Sequence, residues 1–289
     1  MKPAPFDYYA PATVDEAVQL LRDAGDEAKV IAGGQSLVPM LNLRLARFEV
    51  LVDIGRIDEL RRVEQIGEEV VVGATARQCD IEVDGTVAKS VPLLAAATPL
   101  IGHFQIRSRG TVGGSIAHAD PAAEYPAVAL ALDAKLDVAA PSRQRTIDAN
   151  EFFAGTWMTA LEDDEILTAV RFPVWPSGSG FAVEEVARRY GDFAIAGAVV
   201  GVHVEDGRVA RAAVALFGMG STPLRAAEAE AALVDSAVDQ IDAAAIGTAA
   251  VVSTEPPDDL HASSGLRQHI GRTVVTRAVT RALQEAQNR

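Results

Sequence analysis

The sequence is poor in cysteine, since Cys79 is its only thiol. A single cysteine excludes an intramolecular disulfide and fits a reducing compartment, so we expect a cytoplasmic protein. It also excludes an iron–sulfur cluster or a multi-thiolate zinc site held by this chain alone, because both need several thiolate ligands. No basic residue adjoins Cys79 to stabilise a thiolate, and it is predicted to be unreactive.

Basic residues and long apolar runs are also scarce. The chain carries 26 Lys and Arg against 40 Asp and Glu, a formal net charge of -14 at pH 7. Nucleic acids and anionic membrane surfaces attract basic faces, so neither is an expected partner. No apolar run approaches the roughly 20 residues of a membrane helix, and residues 1–7 have no apolar core for a signal peptide. Hydrophobic residues make up 49% of the 289 positions, which indicates a globular protein of two or three domains.

Two short segments with paired glycines stand out. The first is Ala32-Gly33-Gly34-Gln35-Ser36, and the second is Thr111-Val112-Gly113-Gly114-Ser115. Adjacent glycines reach positive φ and expose consecutive backbone N–H groups without a Cβ in the way. Such groups form a concave anion site, which a following helix strengthens. A pyrophosphate held between the two segments is therefore the working hypothesis.

The hydrophobic pattern predicts three units along the chain. Residues 1–55 are predicted as a β–α–β unit with a leading helix, begun by the capping box Thr13–Glu16 and ended by Gly25. The first glycine pair would occupy a strand-to-helix turn, and Ser36 would cap the helix that follows.

Residues 56–176 are predicted as a second α/β unit, which holds the other glycine pair. Its predicted strands lie at 69–74, 135–140 and 165–172, and its predicted helices at 77–83, 91–101 and 122–132. Prolines, glycines and serines crowd residues 172–180, which is typical of a domain boundary. Residues 177–289 are predicted as a small antiparallel sheet covered by helices. Its predicted strands are Phe181–Ala187, Ala194–Val204 and Arg208–Phe217, and its helices lie at 222–234, 239–252 and 266–286.

The candidate site residues leave alternatives open. Each glycine pair taken singly is compatible with a plain tight turn, and neither segment has Gly-x-Gly-x-x-Gly spacing or the Lys-Ser/Thr of a P-loop. Two matching segments at the turns of two α/β units instead favour a dinucleotide held from two sides. Glu124 would accept a hydrogen bond from a ligand hydroxyl, or be a solvated acid that complements a helix dipole. Arg107 and Arg109 would balance the charge of a phosphate or a docked subunit, or form surface ion pairs. His118 and Asp120 lack a third ligand, so no metal site is expected.

These segments resemble a known family. The first segment with Leu37, the run from Ile106 to Ser115 and the run Ala119–Glu124 are similar to the two flavin loops of the medium subunit of molybdenum hydroxylases. That family includes carbon monoxide dehydrogenases and xanthine dehydrogenases, and the resemblance covers essentially the whole chain. It implies an α+β fold in which two α/β subdomains, 1–55 and 56–176, clasp FAD as in vanillyl-alcohol-oxidase or PCMH-type proteins. It also implies a C-terminal domain, 177–289, with a three-stranded antiparallel sheet and a helical bundle.

The resemblance implies a non-covalent FAD, since Gln35 offers neither the histidine nor the cysteine of a covalent flavin. Backbone N–H groups of residues 32–36 and 111–115 would hold its pyrophosphate. Glu124 would reach the ribityl or ribose region, Leu161 would lie near the isoalloxazine or adenine, and Phe193 could stack on the ring. The implied FAD-binding residues are Ala32, Gly33, Gly34, Gln35, Ser36, Leu37, Ile101, Thr111, Val112, Gly113, Gly114, Ser115, Asp120, Glu124, Leu161 and Phe193.

The resemblance also implies partners, and it implies no catalytic residue on this chain. A small subunit with two [2Fe–2S] clusters would bring electrons from a large molybdopterin subunit that hydroxylates the substrate. This chain would then pass them through FAD to an external acceptor, within a dimer of heterotrimers. Two alternatives stay open, a stand-alone FAD-dependent oxidoreductase of the same fold and a non-catalytic nucleotide-binding scaffold. The substrate pocket is expected on another chain, so the sequence does not identify the substrate.

Overall fold

The computed structural model describes residues 2–288. The strands among them are β1 (Asp7–Tyr9), β2 (Ala28–Ile31), β3 (Val50–Asp53), β4 (Val63–Ile66), β5 (Glu69–Gly73), β6 (Lys135–Ala140), β7 (Arg143–Asp148), β8 (Phe153–Gly155), β9 (Met158–Thr159), β10 (Ile166–Pro173), β11 (Ser179–Ala187), β12 (Ala194–Glu205), β13 (Arg208–Phe217) and β14 (Leu224–Arg225). The α-helices are α1 (Val14–Ala24), α2 (Leu37–Leu43), α3 (Gln78–Ile81), α4 (Gly85–Ser90), α5 (Pro92–Ala97), α6 (Phe104–Arg107), α7 (Val112–His118), α8 (Glu124–Ala131), α9 (Ala149–Phe152), α10 (Ala227–Leu233), α11 (Ala243–Ala250) and α12 (Ser264–Asn288). No helix within residues 2–288 is long and apolar enough to cross a membrane.

The N-terminal sheet has three parallel strands in the order β1–β3–β2, and α1 packs its apolar face against it. The predicted capping box is confirmed, because Thr13 Oγ1 accepts from Glu16 N at 3.2 Å and the Glu16 carboxylate accepts from Ala12 N at 2.9 Å. The helix ends at Gly25, as predicted, with a φ of 58°. Strand β1 was not predicted, because all its residues are exposed and show no buried, apolar pattern. Parallel strands end at one edge of the sheet, and the first glycine segment leaves β2 at that edge.

The second sheet has five antiparallel strands in the order β4–β5–β10–β6–β7. Its three central strands match the predicted ones, whereas the outer strands β4 and β7 were missed because most of their side chains are exposed. The predicted α/β unit is therefore corrected to an antiparallel sheet with helices. Helix α8 has all eight residues buried, as expected of a helix that is apolar around its circumference, and it packs against α5, α7, β12 and β13.

The C-terminal sheet has four antiparallel strands in the order β11–β12–β13–β14, one more than predicted. The extra strand β14 lies within 222–234, which was predicted to be entirely helical. A strand of two residues is too short to show an alternating pattern. The three helices that follow begin at Ala227, Ala243 and Ser264. The α+β class is confirmed.

Side chains of the C-terminal sheet alternate between two cores, as the pleat of a strand requires. On β11, Phe181 and Val183 pack into the core that surrounds α5 and α8. Ala182 and Val186 pack instead into the core formed with α12. The sheet therefore lies between the second sheet's helices and the C-terminal helices.

Candidate functional site

The first glycine segment connects β2 to α2 and leaves successive backbone donors free. Gly34 has a φ of 69°, a conformation that favours glycine, and the Gln35 side-chain amide donates to Gly33 O at 2.9 Å. Among the described residues, the N–H groups of residues 33–37 have no acceptor. The Ser36 hydroxyl does not cap α2, so that prediction is wrong. Successive free N–H groups at the start of a helix fit an anionic group such as a pyrophosphate.

The backbone N–H groups of the second glycine segment already have acceptors within the chain. Helix α7 begins after Thr111, whose Oγ1 accepts from Gly114 N at 3.0 Å. The N–H groups of Val112 and Gly113 donate to backbone carbonyls just after β5 at 3.0 and 2.9 Å, and Ser115 N donates to Thr111 O at 3.1 Å. The segment follows α6 and begins α7, so unlike the first segment it does not follow a strand. The open donors of the predicted cradle therefore belong to the first segment.

The two segments touch each other through their glycines. A Cβ added to Gly33 would lie 2.2 Å from Arg109 O and 2.8 Å from Gly110 Cα, so no side chain fits there. A Cβ added to Gly114 would face the Cβ of Ala32 at 3.8 Å. The structure thus brings the two predicted segments together. The first segment has the free backbone N–H groups, and the second faces it with Gly114, which has no side chain.

The two arginines before the second segment differ in their surroundings. Arg107 is buried and donates to both carboxylate oxygens of Glu82, at 2.9 and 3.2 Å. It also donates to three carbonyls of the turn 99–102 at 3.1–3.4 Å. Arg107 therefore forms an ion pair, as one alternative predicted, but the pair is buried and not on the surface, and the arginine's donors are not available to a phosphate. Arg109 is exposed, and its side chain makes no bond with residues 2–288; its backbone carbonyl lies beside Gly33 of the first segment.

The other predicted FAD-binding residues outside the two segments include core residues, a hydrogen-bonded acid and an exposed aromatic. Ile101 and Leu161 pack at the core around α5 and α8. Asp120 has both carboxylate oxygens occupied, by a backbone N–H two residues on at 2.9 Å and by Trp157 Nε1 at 3.2 Å. Phe193, in the hairpin between β11 and β12, is 64% exposed.

This hairpin, residues 188–193, docks on the turn that carries Ile101. Tyr190 OH donates to Pro99 O at 3.0 Å. A Cβ added to Gly191 would lie 2.3 Å from the imidazole of His103. Sequence reasoning missed this contact because it joins residues 91 positions apart without a shared motif. It places Phe193 close to the segment that contains Ile101.

One carboxyl group is buried here and a second is partly buried. Glu124 begins α8 and is 6% exposed; its own backbone N–H favours the carboxylate, and no side chain of residues 2–288 hydrogen-bonds or pairs with it. Glu185 on β11 has a buried oxygen, Oε2, that also lacks a partner in residues 2–288. Burial, and then the charge of Glu185, raise the pKa of Glu124 to about 8, and burial raises the pKa of Glu185 to about 7. The interpretation of Glu124 as a solvated acid is therefore wrong.

These raised pKa values predict a pH-dependent stability for the FAD-free chain. A carboxyl whose pKa is higher in the folded state holds its proton more tightly there, so stability falls as pH rises from about 5 through about 8. Glu124→Gln should remove part of this fall, on the order of 2 kcal/mol between about pH 6 and about pH 9. Urea unfolding of both chains at the two pH values measures it. Equal losses in both would contradict an ionisable buried Glu124.

Thiol and metal chemistry find no support in the structure. Burial, and then Asp80, raise the pKa of the Cys79 thiol, which accordingly stays protonated at neutral pH. Within residues 2–288, no three His, Cys, Asp or Glu side chains are arranged to hold a metal ion. Cys79→Ser is expected to leave flavin content and flavin reduction within about 2-fold of the parent chain. A large loss in either measurement would show that the thiol takes part.

Two families match the sequence in succession. Residues 4–175 match the family described as "FAD binding domain in molybdopterin dehydrogenase". Residues 181–282 match "CO dehydrogenase flavoprotein C-terminal domain". Together the two matches cover nearly the whole chain and lie on either side of the link between β10 and β11.

Characterised relatives match over the same length. The chain is 42% identical to the 6-hydroxypseudooxynicotine dehydrogenase complex subunit alpha of Paenarthrobacter nicotinovorans, covering 99% of this chain and 97% of the relative. It is 38% identical to the carbon monoxide dehydrogenase medium chain of Hydrogenophaga pseudoflava, covering 98% of each. A solved structure of carbon monoxide dehydrogenase from Hydrogenophaga pseudoflava superposes with a TM-score of 0.96 at 40% identity, over 99% of each chain. Quinoline 2-oxidoreductase from Pseudomonas putida 86 gives a TM-score of 0.93 at 36% identity, over 99% of each chain.

Proposed function

The chain belongs to the FAD-binding medium subunits of molybdenum hydroxylases, the carbon monoxide and xanthine dehydrogenase family, and on that premise we propose that it carries electrons. They arrive from the [2Fe–2S] clusters of a small subunit and leave through FAD to an external acceptor. When bound, FAD supplies the two-electron redox chemistry that no side chain of this protein provides. Hydroxylation of the substrate takes place on the large molybdopterin subunit.

One observation carries this proposal for the chain itself, the free N–H groups of residues 33–37 beside a second glycine segment. They fit a pyrophosphate, and the exposed cation of Arg109 adds favourable charge. In residues 111–115, Gly114 lets the ligand come close to the backbone because it has no side chain, and Ser115 offers its hydroxyl. Ile101, Leu161, Glu124 and the hairpin of Phe193 bound the rest of the proposed site. Asp120 acts through the loop it holds, because both its oxygens are occupied.

The assembly follows from what this chain lacks. With Cys79 as its only thiol, it cannot hold the clusters that deliver electrons. The small iron–sulfur and large molybdopterin subunits are its partners, and we propose a dimer of such heterotrimers in the cytoplasm. We further propose that 1–55 and 56–176 clasp FAD in the manner of PCMH-type proteins and that 177–289 forms a separate domain.

The test is to purify the chain with its partners and analyse the flavin. Acid precipitation should release about one FAD per chain into the supernatant, because no covalent bond holds it. Substrate added to the complex should bleach the flavin absorbance, whereas the same substrate added to the isolated chain should not. Bleaching of the isolated chain would instead support a stand-alone flavoenzyme. Bound FAD that the complex never reduces would support a nucleotide-binding scaffold.

A further inference from the structure

A buried ion pair closes the loop of residues 160–165, which carries Leu161 and connects β9 to β10. Glu165 is the last residue of this loop, and no part of its side chain is exposed. Arg145 of β7 donates to both carboxylate oxygens, from Nε at 2.8 Å and from Nη2 at 2.7 Å. Arg143 on the same strand donates to one of these oxygens at 2.8 Å. Both oxygens of this buried carboxylate therefore have charged donors.

The same ion pair holds the backbone on both sides of Leu161. On one side, Arg145 Nη2 donates to the carbonyl of Ala160 at 2.8 Å. On the other side, the N–H of Glu162 donates to Glu165 Oε2 at 2.9 Å. Nη2 and Oε2 are the two atoms that contact each other at 2.7 Å, so a single contact between side chains fixes the peptide groups that flank Leu161.

The contacts of Arg145 go beyond compensation of a buried charge. Burial alone would raise the pKa of Glu165, but donation by Arg145 and by the Glu162 N–H lowers it, so the group is a carboxylate at neutral pH. A guanidinium reaches two carboxylate oxygens and a carbonyl at once, because its N–H donors form a rigid planar fork. An ammonium is a point charge on a flexible stem and lacks this fork. Arg145 thus couples the carboxylate to the backbone position of Leu161.

We propose, on the premise of the function proposed above, that Arg145 and Glu165 are positioning residues for FAD, which hold Leu161 in its binding position before the cofactor arrives. Leu161 packs at the same core as Ile101, another predicted FAD contact. Neither residue of the ion pair touches the cofactor in this proposal, and both act through Leu161. A loop that is already fixed loses less conformational entropy when a ligand binds, and affinity is correspondingly higher.

The first experiment compares FAD affinity by fluorescence titration of FAD-free full chains. Arg145→Lys keeps the charge opposite Glu165 but loses the fork, and we expect it to weaken FAD binding by about 10-fold. Arg171→Lys is the matched control, because Arg171 lies in the same sheet and donates to Asp137 at 2.6 Å, away from the loop. The control should bind FAD within about 2-fold of the parent chain.

A double-mutant cycle shows whether Arg145 acts through Leu161. Leu161→Ala should weaken FAD binding by itself, and adding Arg145→Lys to it should change the affinity by no more than about 2-fold. Losses that multiply in the double variant would overturn the proposal, because Arg145 would then act independently of Leu161. At saturating FAD, a change in the visible flavin spectrum of Arg145→Lys would place Leu161 at the isoalloxazine. A coupled loss of affinity without a spectral change would place it at the adenine.

Hydrogen exchange of the parent chain tests the fixed loop without any substitution. The amides of residues 160–165 should exchange slowly in the FAD-free chain, because the Glu162 N–H donates to a buried carboxylate. Exchange of this segment should change little when FAD is added. A segment that becomes protected only with FAD would overturn the proposal, since the cofactor would then order the loop.

The remaining outcomes separate this proposal from the proposed function. FAD binding by Arg145→Lys, or by Leu161→Ala, within about 2-fold of the parent chain would overturn the positioning role and leave the electron-carrier function standing. A parent chain that never binds FAD, even with its partners, would overturn both.

Discussion

Gly33→Ala is expected to abolish FAD retention while leaving the fold intact. The added Cβ would lie 2.2 Å from Arg109 O and 2.8 Å from Gly110 Cα, both backbone atoms that have no rotamer to yield. The two glycine segments must then separate, and the free donors of residues 33–37 lose their position beside the second segment. We expect affinity for FAD to fall at least about 100-fold, or about 2.7 kcal/mol.

The measurement is FAD stoichiometry after gel filtration, followed by titration of the FAD-free chain. Gly85→Ala is the matched control, since a Cβ there meets nothing within 4 Å and the residue begins a helix. It should retain FAD like the parent chain. Far-UV circular dichroism of Gly33→Ala should be unchanged, because the segment is a loop at the edge of a sheet. Full FAD occupancy in Gly33→Ala would remove the segment contact from the binding site.

Arg107→Met is expected to lower the free energy of unfolding by about 3 kcal/mol or more. Methionine replaces the aliphatic part of the arginine with a side chain of similar length. It removes the donors to Glu82 and to three carbonyls of the turn 99–102. Glu82 then loses its partner, and buried carbonyls are left without donors. The same turn carries Ile101 and receives Tyr190, so the hairpin of Phe193 should loosen as well.

Urea denaturation measures this effect as a lower midpoint. The neighbouring Arg109→Met is the control, because that arginine is exposed and makes no side-chain bond with residues 2–288. Its change should stay within about 0.5 kcal/mol, while its FAD affinity should fall modestly through the lost cation. Equal stability of the two variants would show that Arg107 is not the structural centre of the turn.

Elements with a strong local pattern were predictable from the sequence. Strand β5 and the long strands of the C-terminal sheet are apolar and buried, and the capping box marks the start of α1. The outer strands β4 and β7 were not predictable, because their exposed polar side chains show no alternation. Strand β14 is set by pairing with β13 and has too few residues for a pattern of its own.

The sequence was enough to predict which segments form the site, but not which of their backbone N–H groups already have hydrogen-bond acceptors. The motif identified both glycine segments, but the acceptors of Val112 N and Gly113 N, the carbonyls of Ala76 and Ala74, lie earlier in the chain, just after β5. No local pattern reveals that those donors are already used. The partnership of Arg107 with Glu82 is likewise a product of tertiary packing.

The order of strands in the second sheet has a consequence during synthesis on the ribosome. Strand β10 lies at the centre of that sheet, between β5 and β6, yet it is the last of its five strands to be made. Until Pro173 has emerged, the nascent chain presents two apolar strand edges with no neighbour to pair with. Unpaired strand edges are templates for pairing with other chains, so we expect the tendency to aggregate to be raised in this interval. Completion of β10 closes both edges in one step.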